Sequence, residues 1–565
     1  MNSNNINIMN LKRWILLALV TVVLFSCNST TQKETPFLLE NEYGAKQLIV
    51  DGKPFLMLSG ELHNSTSSTE EYAAPIFSDL KAMNLNSVIA SIAWQQFEPQ
   101  EGVYDYSLVD MLIKNAEQNN LKLCLIWFAS WKNGQSSYAP MWVKQDTDRF
   151  FRVKTKEGKN NEIISVFSQE ARDADAKAFG KLMAYLKKKD VNKTVVMVQI
   201  ENEVGIFQDI DYNEIALKKY SQNVPKELMD YMLSHKDKLQ SRLYNSWEEN
   251  GFKTAGSWQE VFGDDLYSKS YFMAWSYAKY MNYIAEIGKK EYNLPMYVNA
   301  WIIQFEGDYP GNYPNGGPVE DVLDVYKAAA PSIDILAPDA YNPDFKDVVN
   351  EYHRYDNPLV VPETTLNVGR AFYIFAQHDA ICFSPFGIED GASDVEFREG
   401  YQVLKQLMPI ITKYQGSDRI AGVLLKKGES NAIIQMGKYG FNARYIDENL
   451  PSYGLVIQTS EDEFIVAGMN FAMNVSSNID NKVGYVGEVW EGRFENGQWI
   501  GSRLLNGDES WHNEAIRVMG RKLLTNELDM SINVRDESKP YFYSANRNIM
   551  ITIPGIYKVR LYTRD

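Results

Sequence analysis

From about residue 47 to 390, short apolar runs alternate with amphipathic stretches. Eight of the runs read as strands, at residues 55–59, 87–93, 122–128, 194–200, 296–300, 333–337, 359–362 and 380–384. They are apolar throughout rather than every second residue, the pattern of parallel strands covered by helices on both faces. Eight strand–helix units predict an α/β fold, a (β/α)8 TIM barrel. Between the fourth and fifth strands lie about 90 residues, with helical patterns at 226–239 and 266–291 and many Tyr and Trp. After about residue 420 the pattern changes. Runs at 463–468, 484–490 and 556–562 are short, β-branched and separated by Asn, Gly and Asp. The expected organisation is a barrel at 41–420 followed by a smaller all-β, sandwich-like domain at 421–565.

The chain starts differently. Lys12 and Arg13 precede an apolar run at 14–25. As a helix this run spans only about 18 Å, against about 30 Å of membrane hydrocarbon, so it reads as a secretory signal. It ends Leu24-Phe25-Ser26-Cys27, which resembles a bacterial lipobox with Cys27 as the lipidated residue. Residues 1–27 are therefore expected to be a lipoprotein signal peptide, and the polar stretch 28–40 a linker. The protein is expected to be exported, facing the periplasm or the cell surface, and to meet the membrane only through its lipid. Removing residues 1–26 takes away Lys12 and Arg13, so the formal charge moves from −16 to −18. Such acidity argues against binding nucleic acid. Three cysteines exclude a disulfide scaffold. Cys124 and Cys382 lie in separate apolar runs and read as two buried thiols. Five histidines without a His/Cys cluster argue against a structural zinc site.

In a barrel, chemistry sits at the C-terminal ends of the strands. The fourth strand ends Gln199-Ile200-Glu201-Asn202-Glu203-Val204-Gly205, and the seventh ends Val360-Val361-Pro362-Glu363-Thr364. Two carboxylates delivered by dry strands to opposite sides of one mouth suit glycoside hydrolysis. One protonates the leaving oxygen, and the other attacks the anomeric carbon or activates water. No phosphate loop, nucleotide fingerprint or Ser-His-Asp order competes with this reading. The mechanism calls for neither metal nor cofactor, and the expected partner is a carbohydrate.

Four segments carry a resemblance to a known family. They are Gln199-x-Glu201-Asn202-Glu203-x-Gly205, Ser59-Gly60-Glu61-Leu62-His63, Trp94-x-x-x-Glu98-Pro99-x-x-Gly102-x-Tyr104-Asp105-Tyr106 and Pro140-Met141-Trp142. Together they resemble the family 35 glycoside hydrolases of clan A, the β-galactosidases. Asn64, Gln95, Phe97, Ser130 and Val204 depart from that family's pattern. The resemblance implies a retaining, exo-acting enzyme that releases terminal β-galactose from oligo- or polysaccharides. Glu203 would be the acid/base, Glu363 the nucleophile, and Asn202 the partner of the sugar 2-hydroxyl. Ser130 stands where the family carries an acid that helps hold the sugar. A clan A enzyme for a different glycone, or an inactive glycan-binding lipoprotein, are the alternatives.

Other strand ends supply further candidates. Tyr341, after the sixth strand, is placed to donate to Glu363. Trp127, Trp131 and Trp301 are candidates for stacking on sugar, Ser130 lies among them, and Glu61 could bind a sugar hydroxyl. Glu98 reads as a loop-shaping acid and His63 as a structural histidine.

Overall fold

A computed structural model describes residues 33–429, 431–525 and 549–565. The signal-peptide reading and Cys27 lie outside the described residues. Among those residues, no helix is long and apolar enough to cross a membrane.

Eight parallel strands close into a ring. They are β1 (Met57–Leu58), β2 (Ser87–Ala93), β3 (Lys122–Lys132), β4 (Val195–Asn202), β5 (Met296–Ala300), β6 (Ile335–Ala340), β7 (Val360–Val361, resumed after Pro362 at Glu363–Thr364) and β8 (Cys382–Phe383). Ladders join neighbours from β2 round to β8 and on to β1. A parallel bridge between Glu61 and Ile89 closes the ring from β1 to β2. Each strand is followed by a helix: α1 (Glu70–Ala82), α2 (Ser107–Gln118), α3 (Gln169–Lys189), α4 (Leu266–Glu291), α5 (Leu323–Ala329), α6 (Phe345–Tyr352), α7 (Val368–Gln377) and α8 (Val395–Tyr414). The sequence marks where these helices start. Ser168, Asp265, Asn367 and Asp394 each precede a helix and accept backbone N–H groups of its first turn. Ile89, Ile126, Met197, Tyr297 and Val360 pack in the ring interior together with Cys124 and Cys382. Both of those cysteines are free and buried.

The long β4–α4 connection carries Lys226–Ser234 and Ser241–Glu249 as helices before α4, which packs along α3. An antiparallel trio, Phe37–Glu40, Lys46–Val50 and Lys53–Pro54, precedes the barrel.

The β domain consists of two main antiparallel sheets and a two-stranded pair, Arg521–Thr525 with Ile549–Ile553. The larger orders Ile420–Leu425, Ser452–Gln458, Glu463–Met469, Gly555–Arg564, Val483–Glu495 and Gln498–Leu504. The smaller orders Ala432–Met436, Tyr439–Tyr445, Phe471–Ser477 and Ala515–Val518. Phe441, Phe464, Met473 and Val559 fill the space between them. The other face of the larger sheet is covered at its inner strands. Tyr453, Leu455, Ile457 and Ile465 merge into one apolar core with α7 and α8 of the barrel. Tyr453 Oη also donates to Glu396 at 2.9 Å.

Gly369 shows how close that contact is. A Cβ there would lie 2.7 Å from the Tyr453 ring. In an ordinary helix, Gly to Ala stabilises by about 1 kcal/mol. Here the sign should reverse. Gly369→Ala is expected to destabilise by about 1–3 kcal/mol, the usual cost of overpacking, read as a lowered urea midpoint.

Candidate active site

The mouth is built where β3 and β4 lose their simple register. Trp127 pairs with Ile200, but the next pairing joins Lys132 to Asn202. Strand β3 therefore carries extra residues and bulges over the end of β4. The Glu201 carboxylate fills that bulge and accepts the backbone N–H groups of Ser130 (3.0 Å) and Trp131 (2.8 Å). Glu201 and Glu203 both take left-handed backbone, with φ of 58° and 45°. Such strain persists only where the surroundings over-determine it. Fixed hydrogen bonds do so here, because the Glu203 N–H donates to Asn299 Oδ1 at 3.0 Å. Gly205 follows at φ 133°, where a Cβ would lie 2.6 Å from the Pro314 backbone. Only glycine fits that position of the motif.

The bulge decides which candidates reach the mouth. Ser130 does not. Its hydroxyl donates to Asp175 at 2.7 Å and meets Tyr280 at 2.9 Å within the core. Trp127 is buried and donates to Asp175 at 2.8 Å, and Trp131 is buried and donates to the Ile164 carbonyl at 3.0 Å. Trp301 is half-buried at the end of β5, edge-on to the exposed Phe207 at 5.9 Å. Glu98 holds a loop, accepting from Trp94 (2.8 Å) and from the Gly102 N–H (2.7 Å). His63 pairs with Asp390 at 2.9 Å and lies edge-on to Phe386.

Glu203, Asp339 and Glu363 converge, each offering a carboxylate oxygen within 4.8 Å of the others. All three are buried. Tyr341 Oη donates to Glu363 Oε2 at 2.9 Å, as its place after the sixth strand suggested. Asn202 Nδ2 (3.3 Å) and Asn299 Nδ2 (3.4 Å) approach Glu363 Oε1. Asn299 also donates to Asp339 Oδ2 at 2.8 Å. Lys132 Nζ donates to Asn202 Oδ1 at 2.6 Å. An ammonium can only donate, so it fixes the Asn202 amide with its NH2 toward Glu363.

Lys132, Asn299 and Asp339 are site residues that the strand-end reading missed. Lys132 and Asp339 flank positions it did select. A buried Asn inside the dry run at 296–300 was a usable signal.

The electrostatics follow from burial and repulsion. Burial and the neighbouring Glu363 raise Glu203 from its ordinary range to about 7, while Lys132 opposes the shift. Glu203 and Asp339 carry carboxyl oxygens within 4.8 Å of each other, so each resists the ionisation of the other. Burial, Glu363 and Glu203 push Asp339 well up. Burial also raises Glu363, against which Lys132 and the Tyr341 hydroxyl act. Burial and the charge of Glu363 push the Tyr341 phenol far up, so it stays a donor. The arrangement thus pairs one carboxylate held by four donor-bearing neighbours with a second carboxyl that keeps a proton near neutral pH. That is the division of labour needed for acid-assisted displacement at an acetal carbon.

Comparison with known proteins points the same way. A family profile described as "Beta-galactosidase" (glycoside hydrolase 42) matches residues 63–286, from the end of β1 through Glu203 to α4. A profile described as a domain of unknown function, DUF5597, matches residues 397–517. Beta-galactosidase 11 of Arabidopsis thaliana is 29% identical over 129 residues, 22% of this chain and 15% of that protein. The β-galactosidase of Xanthomonas manihotis is 28% identical over 170 residues, 29% of this chain and 26% of that protein. The chain thus spans about a quarter or less of the length of these curated relatives. Among solved structures, the β-galactosidase of Bacillus circulans sp. alkalophilus aligns with a TM-score of 0.43 at 15% identity, over 63% of this chain and 57% of that one. By profile and by sequence, the chain is similar to the β-galactosidase-like glycoside hydrolases. The profile that matches is that of family 42, whereas the four sequence segments resemble family 35.

The raised Glu203 carboxyl has a thermodynamic signature. Its folded value of about 7 lies above its ordinary 4.5. The folded state therefore binds the extra proton, and stability falls as pH rises through that window. A shift of this size corresponds to about 3 kcal/mol. Urea midpoints at pH 5 and pH 8 should show this loss in the wild type, with a flatter dependence in Glu203→Gln.

Proposed function

We propose that this chain is a retaining, exo-acting glycoside hydrolase that releases terminal β-linked galactose from oligo- or polysaccharides. The spacing of Glu203 and Glu363 carries the reading. Their oxygens approach within 4.8 Å, near the separation of about 5–5.5 Å that retaining pairs use and short of the roughly 6.5–9.5 Å of inverting pairs. The names of the similar proteins favour galactose as the glycone.

In this mechanism Glu363 attacks the anomeric carbon. The bond to the leaving oxygen breaks as Glu203 gives that oxygen its proton. Tyr341, Asn299 and Lys132 keep Glu363 ionised until the attack. Asn202, held by Lys132, presents its NH2 to the sugar 2-hydroxyl. Once Glu363 is esterified its charge is gone, so Glu203 ionises more readily and takes a proton from water. The water oxygen then bonds to the anomeric carbon, and the ester bond to Glu363 breaks. The leader reading completes the proposal as an exported enzyme tethered through Cys27, acting on carbohydrate outside the cytoplasm.

A panel of nitrophenyl glycosides tests it, pairing β-galactoside with β-glucoside, β-mannoside, β-xyloside and α-L-arabinoside. Release from the β-galactoside is expected, and Glu363→Gln should abolish it. Glu203→Ala should spare the first step for these activated leaving groups, and added azide should speed the second. Equal loss in both variants without azide rescue would refute the separate roles.

Lys132→Met should lower kcat/KM about 10- to 100-fold, because Asn202 loses its anchor. It should also move the acid limb of the pH–rate profile upward, because the ammonium no longer favours the ionised nucleophile. An unmoved acid limb would show that Lys132 is remote from the chemistry.

A further inference from the structure

Glu61 is a buried acid that no interaction accounts for. It follows β1 and bridges to Ile89 of β2 and Phe386 beyond β8. Its residue is 1% exposed, and neither carboxyl oxygen has a hydrogen-bond partner. Buried polar groups are nearly always paired, and one that is not calls for an explanation. The neighbours make the position more costly. The charged and titratable groups facing Glu61 are Lys132 from β3, Glu203 from β4, Asp339 on β6 and Tyr341 just past it, Glu363 from β7 and Glu389 after β8, with Cys124, Tyr297 and Cys382 from β3, β5 and β8. Four of them are carboxylic acids and one is a cation. Burial, then Glu363, hold its carboxyl well above the ordinary range. Ser59 Oγ just past β1 and Ser384 Oγ just past β8 are likewise buried without a partner. Glu61, Ser59 and Ser384 thus place unmet polar atoms on the β8–β1 side of the ring, as Gln199 Oε1 and Asp339 Oδ1 do on β4 and β6.

The order of strands says what would meet them. Glu203, Asn299, Asp339, Tyr341 and the half-buried Trp301 come from β4, β5 and β6 or just beyond them. The leaving group departs on the Glu203 side. β1 lies on the other side of Glu363, with only β8 between. A sugar with its anomeric carbon at Glu363 and its leaving oxygen at Glu203 directs its remaining ring hydroxyls toward β8 and β1. A protonated carboxyl offers one donor and one acceptor there, enough for two neighbouring hydroxyls.

We propose that Glu61 is the glycone-recognition residue, binding a pair of hydroxyls of the terminal sugar remote from its anomeric carbon and so selecting the sugar's configuration. This rests on the hydrolase reading above. It adds which side of the mouth is the specificity side and which residue discriminates.

Glu61→Gln and Glu61→Met in the exported-length protein test it on two axes. On the preferred nitrophenyl glycoside, kcat/KM should fall at least about 100-fold, as when a site built to bond a hydroxyl loses its partner. On the epimer or the deoxy analogue lacking that hydroxyl the loss should be much smaller, so selectivity collapses. Stability should move the other way. Glu61→Met removes an unmet buried acid, so its melting temperature should match or exceed that of the wild type. Free galactose should raise the melting temperature of the wild type but not of either variant. Undiminished selectivity in both variants would overturn the proposal. So would a lowered melting temperature with equal loss on every glycoside, which marks a structural acid. If the wild type is silent on all glycosides yet galactose stabilises it through Glu61, the hydrolase reading fails and the binding role of Glu61 stands.

Discussion

Like charges repel hardest where water is scarce, and the mouth of this barrel holds four buried acids, Glu61, Glu203, Asp339 and Glu363. The surrounding structure answers that repulsion. Part of it is relieved by protonation, since burial and the other acids raise the carboxyls of both Glu203 and Asp339. The hydroxyl of Tyr341, two amides and one ammonium surround Glu363. The cost of gathering these groups is met by the apolar ring beneath, whose strands are rigid enough to hold left-handed turns at Glu201 and Glu203. Charge states here follow from geometry, because each donor is fixed by a backbone it cannot leave.

Asn299 ties the parts together. Its oxygen accepts from the Glu203 backbone and from Gln199 Nε2, while its NH2 reaches Asp339 and Glu363. One side chain on β5 thus registers β4, β6 and β7 against one another. Lys132 does the same for β3 and β4 through Asn202. Both act on the positions of acids rather than adding a reactive group.

The chain announced most of its architecture. All eight barrel strands appear near the expected positions, because long apolar runs ending in polar residues have few other ways to be buried. Glu203, Glu363, Asn202 and Tyr341 were legible because a strand end fixes where a side chain emerges. Ser130, Trp131 and Trp127 were placed by the same logic and sit in the core instead. The reason is the bulge in β3, which a period-two reading cannot detect, since it is created by the Glu201 carboxylate of another strand. It turns Ser130 inward and lifts Lys132 to the rim. Asn299 lay inside a run that looked uniformly dry and Asp339 just past another, and their meaning depends on partners far away in sequence.

The core shared between α7, α8 and the larger sheet of the β domain has a consequence for how such proteins can be rebuilt. The recognised C-terminal segment begins at residue 397, inside α8, rather than at the first β-domain strand, Ile420. Similarity therefore follows the packed surface rather than the visible change of secondary structure. A chimera joined between Tyr414 and Ile420 would cut through a continuous apolar seam, exposing Tyr453 and Leu455 on one piece and Phe372 on the other. α7 directly follows β7, the strand that carries Glu363. Exchange of the appendage is thus exchange of the mounting of Glu363, and recombination should succeed only where the crossover keeps helix and sheet from the same parent.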